Sequence, residues 1–186
     1  LLYLYLNENQ LSTLPSSFGS MSNLNYLLLN DNKLTFLPES MGSMVSLETL
    51  SLQNNQIITL PTGLETLASL IVFNINNNML ESLPASLGSM GNLRQLMVAD
   101  NQLTTFPANL CDIFPLQIFQ ISNNSICSFH IPMCYWEFYD SWSSNQNCDS
   151  CEPHQLEIES YCADTSHYNI LQRFIDNNPN SRWGPK

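Results

Sequence analysis

Three residue types recur along this chain at intervals of 23. Leucine does so at Leu1, Leu24, Leu47, Leu70, Leu93 and Leu116. Asparagine follows at Asn9, Asn32, Asn55, Asn78, Asn101 and Asn124, and proline at Pro15, Pro38, Pro61, Pro84 and Pro107. The unit reads LxxLxLxxNxLxxLPxxxxxLxx. A fixed period in the range of about 20–50 residues marks an array of stacked units. The physics of one unit says why it must stack. LxL is a short strand with alternate residues turned inward, and one strand cannot bury that face alone. Neighbours stacked at ~4.8 Å make a parallel sheet and one continuous core. The asparagine suits an inward turn, where its amide can satisfy backbone groups that would each cost about 1–3 kcal/mol if orphaned. Proline presets φ at the start of the segment that returns over the back. The expectation is a curved solenoid, strands on the concave side, irregular or 3-10 turns on the convex side.

The unit resembles the leucine-rich repeat in its 23-residue typical form. The resemblance covers residues 1–133, five full units and a sixth that degrades, and it starts mid-array, as if the chain were a fragment or a processed product. The 24-residue plant-specific form, with its GxIP, is not matched, although SFGSM, SMGSM and SLGSM, around Phe18, Met41 and Leu87, are similar to its LGxL step. The family implies an α/β solenoid: a right-handed arc with a parallel sheet on the concave side. It also implies a module that binds. No nucleophile motif or phosphate-binding glycine loop stands out and no histidine precedes His130, so no catalytic residues and no cofactor are expected.

Charge narrows the partners. The chain carries 16 acids against 5 bases, a net charge of -11. Nucleic acid needs Lys and Arg to neutralise phosphates, so it is excluded as a partner, and docking on anionic membrane surfaces is disfavoured likewise. No run of 18 apolar residues is present, so this segment inserts no helix in a bilayer. Hydrophobic residues at 44% are enough for a packed core rather than disorder.

Beyond Asn124 the period fails. Residues 134–178 read as a Cys-rich C-terminal cap over the last rung, and 179–186 as a tail. Within the cap, Asp164–Asn178 reads as a short amphipathic helix with Tyr168, Leu171, Phe174 and Ile175 on its apolar face. All six cysteines fall at this end: Cys111, Cys127, Cys134, Cys148, Cys151 and Cys162. An even number, clustered, suits disulfides formed in an oxidising compartment. Connectivity stays open. Cys111 and Cys134 are 23 apart and so occupy equivalent places on adjacent rungs, within the Cα separation of about 4.4–6.8 Å that a disulfide needs; Cys127–Cys134 is the rival. Cys148, Cys151, Cys162 and His167 also have spacing compatible with a structural zinc, but with three further cysteines nearby disulfides are preferred and no metal is expected. His130, where the period would place a proline, reads as a cap residue rather than a base.

Alternation puts three ladders on the concave side. One is Tyr3, Tyr26, Thr49, Val72, Gln95 and Ile118; the next is Tyr5, Leu28, Ser51, Asn74, Met97 and Gln120. Glu8, Asp31, Asn54, Asn77, Asp100 and Asn123 form the third, at the strand ends. Tyr3, Tyr5, Tyr26 and Leu28 gather on the first rungs with Glu8 and Asp31 beside them, a grouping suited to a protein hot spot or to sugar rings. Asn123 heads the single N-glycosylation sequon, Asn123-Asn124-Ser125. The functional expectation is an extracellular or cell-surface recognition module, a receptor ectodomain or an adhesion or matrix protein, binding protein or glycan. The alternatives are a structural subunit that self-associates through its open N-terminal end and an intracellular scaffold for signalling proteins.

Overall fold

The computed structural model describes residues 1–113 and 116–126. Among them, six three-residue strands form one parallel sheet in chain order: β1 (Tyr3–Tyr5), β2 (Tyr26–Leu28), β3 (Thr49–Ser51), β4 (Val72–Asn74), β5 (Gln95–Met97) and β6 (Ile118–Gln120). Each pairs with the next at a shift of one period, so Tyr3 meets Tyr26, Tyr26 meets Thr49, and Gln95 meets Ile118. This is an open solenoid sheet, as the period demands. The cap, its helix, the tail, the five cysteines from Cys127 onward, His130 and His167 lie outside the described residues.

The return path over the convex side is 3-10 helix, in turns at Phe18–Ser20, Glu39–Ser43, Leu64–Thr66, Ala85–Ser89 and Leu110–Ile113. Pro38 and Pro84 enter two of these at φ -68° and -66°, close to the value the pyrrolidine ring imposes. The convex turns approach one another closely. A Cβ on Gly19 would overlap the carbonyl of Ser40, and one on Gly42 would lie 2.7 Å from the carbonyl oxygen of Gly63. The recurring glycine of FGSM and MGSM is therefore a stacking requirement.

Between sheet and turns runs one core, built as rows that repeat by rung. Leu27, Leu50, Phe73, Leu96 and Phe119 point inward from the strands; Leu29, Leu52, Ile75, Val98 and Ile121 follow two residues later. Leu29 and Leu52 are completely buried, and each such side chain contributes on the order of 2 kcal/mol. Leu4, Leu6 and Leu11 of rung one pack against this core and are partly buried among the described residues.

The asparagine row crosses this core. Asn55 donates from Nδ2 to Leu52 O of its own rung (3.0 Å) and to Leu29 O of the preceding rung (3.0 Å), while its Oδ1 accepts from Leu34 N (2.9 Å). Asn32, Asn78, Asn101 and Asn124 repeat the pattern, so Asn78 reaches back to Leu52 O and Ile57 N, and Asn124 to Val98 O and Leu103 N. Asn9 has no described rung before it; it is exposed, and its side chain bonds only Leu6 O and Asn7 O.

The contrast between these positions yields a test. Asn55→Ala leaves Leu34 N–H in the core without a partner and takes one of two asparagine donors from Leu29 O and from Leu52 O, and should destabilise the array by about 1–3 kcal/mol. Asn9→Ala, whose partners can turn to water, should cost less than about 1 kcal/mol. Urea denaturation of both variants checks the difference.

Candidate binding surface

The concave face is made by the outward residues of the six strands, which stand in two rows because a strand alternates. At the first rungs these are aromatic. Tyr3 and Tyr5 are 50% and 62% exposed. Tyr3 stacks on Tyr26 with centroids 4.8 Å apart and planes 14° from parallel, and Tyr5 leans on Tyr3 at 6.4 Å. The stack follows from register: in-register strands hold equivalent side chains one sheet spacing apart, and two rings at that distance pack face to face. Leu28, Thr49, Ser51, Val72, Asn74, Gln95 and Met97 continue the surface, each half-buried. The structure thus places every outward strand residue of the two sequence ladders on this one face.

Glu48 was not among the residues that alternation singles out, because it stands one position before β3. Its Oε2 accepts from the Tyr26 hydroxyl at 3.4 Å and its Oε1 from Asn25 Nδ2 at 3.2 Å. The negative charge of Glu48, more than any other influence, raises the Tyr26 phenol above the usual tyrosine value, with lesser contributions from burial and from Tyr3 and Tyr5. The signal that could have found it is diagonal: an acid 22 residues after an exposed tyrosine lies on the next rung, beside that ring.

The third ladder is a rim with its own geometry. Glu8, Asp31, Asn54, Asn77, Asp100 and Asn123 all have positive φ, between 53° and 58°. Each rung leaves its strand through this left-handed residue and then turns inward at the buried asparagine. Asn and Asp tolerate the conformation best among residues with a side chain. Here they also bond laterally: Asn54 Nδ2 to Asp31 Oδ1 at 2.7 Å, Asn77 Nδ2 to Asn54 Oδ1 at 2.7 Å, and Asn123 Nδ2 to Asp100 Oδ1 at 2.6 Å. Hydrogen bonds from Asn30 and Asn54 hold the Asp31 carboxyl below its usual value, so it is ionised. The sequon asparagine is therefore exposed at the rim with its amide engaged by Asp100. Cys111, on the last described convex turn, is disulfide-bonded.

Among the described residues no group of three or more His, Cys, Asp or Glu side chains converges as a metal site, and no helix is long and apolar enough to cross a membrane. An open groove of about 460 Å³ beside the proline segments, lined in part by Leu14, Phe36, Pro38 and Pro61, has one acid, Glu39, which accepts from the Thr62 backbone N–H and hydroxyl instead. Among the described residues, the concave face is where the tyrosines Tyr3, Tyr5 and Tyr26 gather with Glu48 beside them.

The family model for the leucine rich repeat matches residues 1–57 and 46–103. This chain belongs to the leucine-rich-repeat family. A search of curated proteins finds no match. Solved leucine-rich-repeat structures do match. An internalin from Listeria monocytogenes, 26% identical, superimposes at a TM-score of 0.63 over 70% of this chain and 37% of its own. The ectodomain of the Arabidopsis thaliana membrane receptor kinase GASSHO1/SCHENGEN3, solved with CASPARIAN STRIP INTEGRITY FACTOR 2, is 32% identical at a TM-score of 0.64, over 68% of this chain and 16% of its own. A leucine-rich-repeat protein of Leptospira interrogans, 24% identical at 0.52 over 68% of this chain and 38% of its own, shares the fold. The leucine-rich-repeat chain thus spans well under half of each. The family is a protein-interaction module and generally not an enzymatic one.

Two outcomes follow from the rim and the tyrosine stack. Asn77→Val should destabilise by about 1–2 kcal/mol because a β-branched residue resists left-handed φ, whereas Asn77→Gly should cost less; thermal denaturation distinguishes them. Tyr26 should titrate above the ordinary tyrosine value of about 10, and Glu48→Gln should bring it down, as read by ultraviolet difference titration. Because the folded value is the raised one, any stability this phenol adds is present below about pH 10 and lost as pH rises through the folded value.

Proposed function

We propose that this array is the recognition part of an extracellular or cell-surface protein, a receptor ectodomain or an adhesion or matrix protein, and that it binds a protein or glycan through its concave face. The observation that carries the reading is the exposed, stacked tyrosine cluster of Tyr3, Tyr5 and Tyr26, extended by Leu28. Tyrosine presents large area at low entropic cost and is enriched at hot spots. An aromatic group in water with no packing role is costly to leave bare unless a partner covers it.

Three further observations support the location. Six cysteines confined to one end, with Cys111 disulfide-bonded, suit an oxidising compartment. The Asn123 sequon stands exposed on the rim. One structural neighbour is a membrane receptor ectodomain solved with its binding factor. Self-association is a second reading, suggested by Leu1 and Leu2, which are 75% and 54% exposed. Sedimentation across a concentration series tests that one, and a mass that stays monomeric removes it.

Displayed peptides and arrayed glycans screened against the chain test the main reading. Tyr3→Asp and Leu28→Asp should each weaken selected binders by at least about tenfold. Val45→Asp, at an exposed position off the strands, should leave them unchanged. Binders indifferent to both concave substitutions would remove the concave face as the binding surface.

A further inference from the structure

The tyrosine stack ends abruptly. Tyr26 has two ring faces. One packs on Tyr3 at 4.8 Å. The other is turned toward rung three, where the residue in register is Thr49 and, two residues on, Ser51. Both are too short to cover a phenol ring. The result is a step from an aromatic wall down to a small polar floor, at which the stack stops.

The charge beside that step is negative. Glu48, next to Thr49 in sequence, is held against the wall by the Tyr26 hydroxyl and by Asn25. Among the described residues no base forms an ion pair with it. The described residues carry eight carboxylates against Lys33 and Arg94, and neither base stands on a strand. Arg94 spends its guanidinium on the carbonyls of Gly91 and Leu93, and Lys33 reaches Gln10. Asp31, ionised, adds to the same field from the rim.

We propose that the step between Tyr26 and Thr49 is a subsite for a guanidinium group, an arginine side chain of the protein partner. This rests on the concave-face reading and makes its partner specific. A guanidinium is planar, so it can take the place of a third ring over Tyr26, where the ring quadrupole attracts a cation. Its edge N–H groups then point sideways, toward the Glu48 carboxylate, in a charge-assisted bond that a fork geometry can make with both oxygens. Hydroxyls of Thr49 and Ser51 line the floor for the remaining donors. Lysine offers a point charge without a plane and fits less well. A neutral sugar could stack on the ring but would leave the carboxylate without a cation.

A random peptide display library, selected on the full 186-residue chain, provides the probe. Selected peptides are resynthesised with arginine, lysine or citrulline at the anchoring position; citrulline keeps the plane and loses the charge. The arginine form should bind at least about tenfold tighter than citrulline, with lysine between. Glu48→Gln in the chain should erase most of that difference, and Asn25→Ala, which leaves the charge in place, should erase less. Three outcomes overturn the subsite: peptides selected without arginine, citrulline binding as well as arginine, or an arginine preference untouched by Glu48→Gln. If those peptides are still lost on Leu28→Asp, the concave face survives as a binding surface and only the subsite falls. A library that yields no binder overturns the subsite, and peptides insensitive to Leu28→Asp as well overturn both readings.

Discussion

Each rung of this protein must carry a polar backbone corner through an apolar interior, and the amide of one asparagine makes that tolerable. The bend after each strand turns peptide groups away from the sheet ladder. In the interior those groups cost about 1–3 kcal/mol apiece if left alone. Asn55 answers Leu52 O, Leu29 O and Leu34 N together. Two of those three belong to the preceding rung. The bond pattern therefore does more than close a turn: it locks each rung to its neighbour in one register, and the hydrophobic rows of Leu27, Leu50 and Phe73 can then align. The in-register rows of the concave face, including the Tyr3–Tyr26 stack, depend on that same lock.

Most of this was legible in the residues because a period is a statement about neighbours. Once residue i is known to sit beside residue i+23, alternation assigns inside and outside, and the rows of buried leucines and of outward side chains follow without further information. Two things were not legible. The left-handed rim was visible as a polar row but not as a conformation, since its members mix Glu, Asp and Asn and none is glycine, the usual marker. Glu48 was invisible to alternation because its contact is diagonal, from the flank of one rung to the ring tip of the one before. Side chains that reach across the sheet escape any reading that counts only along the strand. The rung at Asn9 shows the opposite limit: its sequence matches the period, yet its asparagine is exposed because the partners come from a preceding rung.

The concave face is not uniform along the array. It begins with rings, steps down to Thr49 and Ser51, and continues through Val72, Asn74, Gln95 and Met97. On the proposed concave-face reading, such a gradient would fix the direction of a bound chain: an end that needs an aromatic platform and a carboxylate would lie at rungs one to three. The preponderance of acids adds long-range attraction for a basic segment before contact, an effect that weakens with salt. Fold membership says that this is an interaction module; the step and its carboxylate say what kind of side chain would gain most from it.

The rim has one more consequence. Glycine would adopt its left-handed φ without strain at all six positions, yet none is glycine. The lateral amide bonds, such as Asn54 to Asp31 and Asn77 to Asn54, run along the solenoid axis on the solvent side, opposite the buried row. At these junctions and at Asn123–Asp100 the stitching is double, one line dry and one wet, and resists shear between rungs where a single line would act as a hinge. An engineer who smoothed the rim with glycine would ease every corner and leave a looser spring.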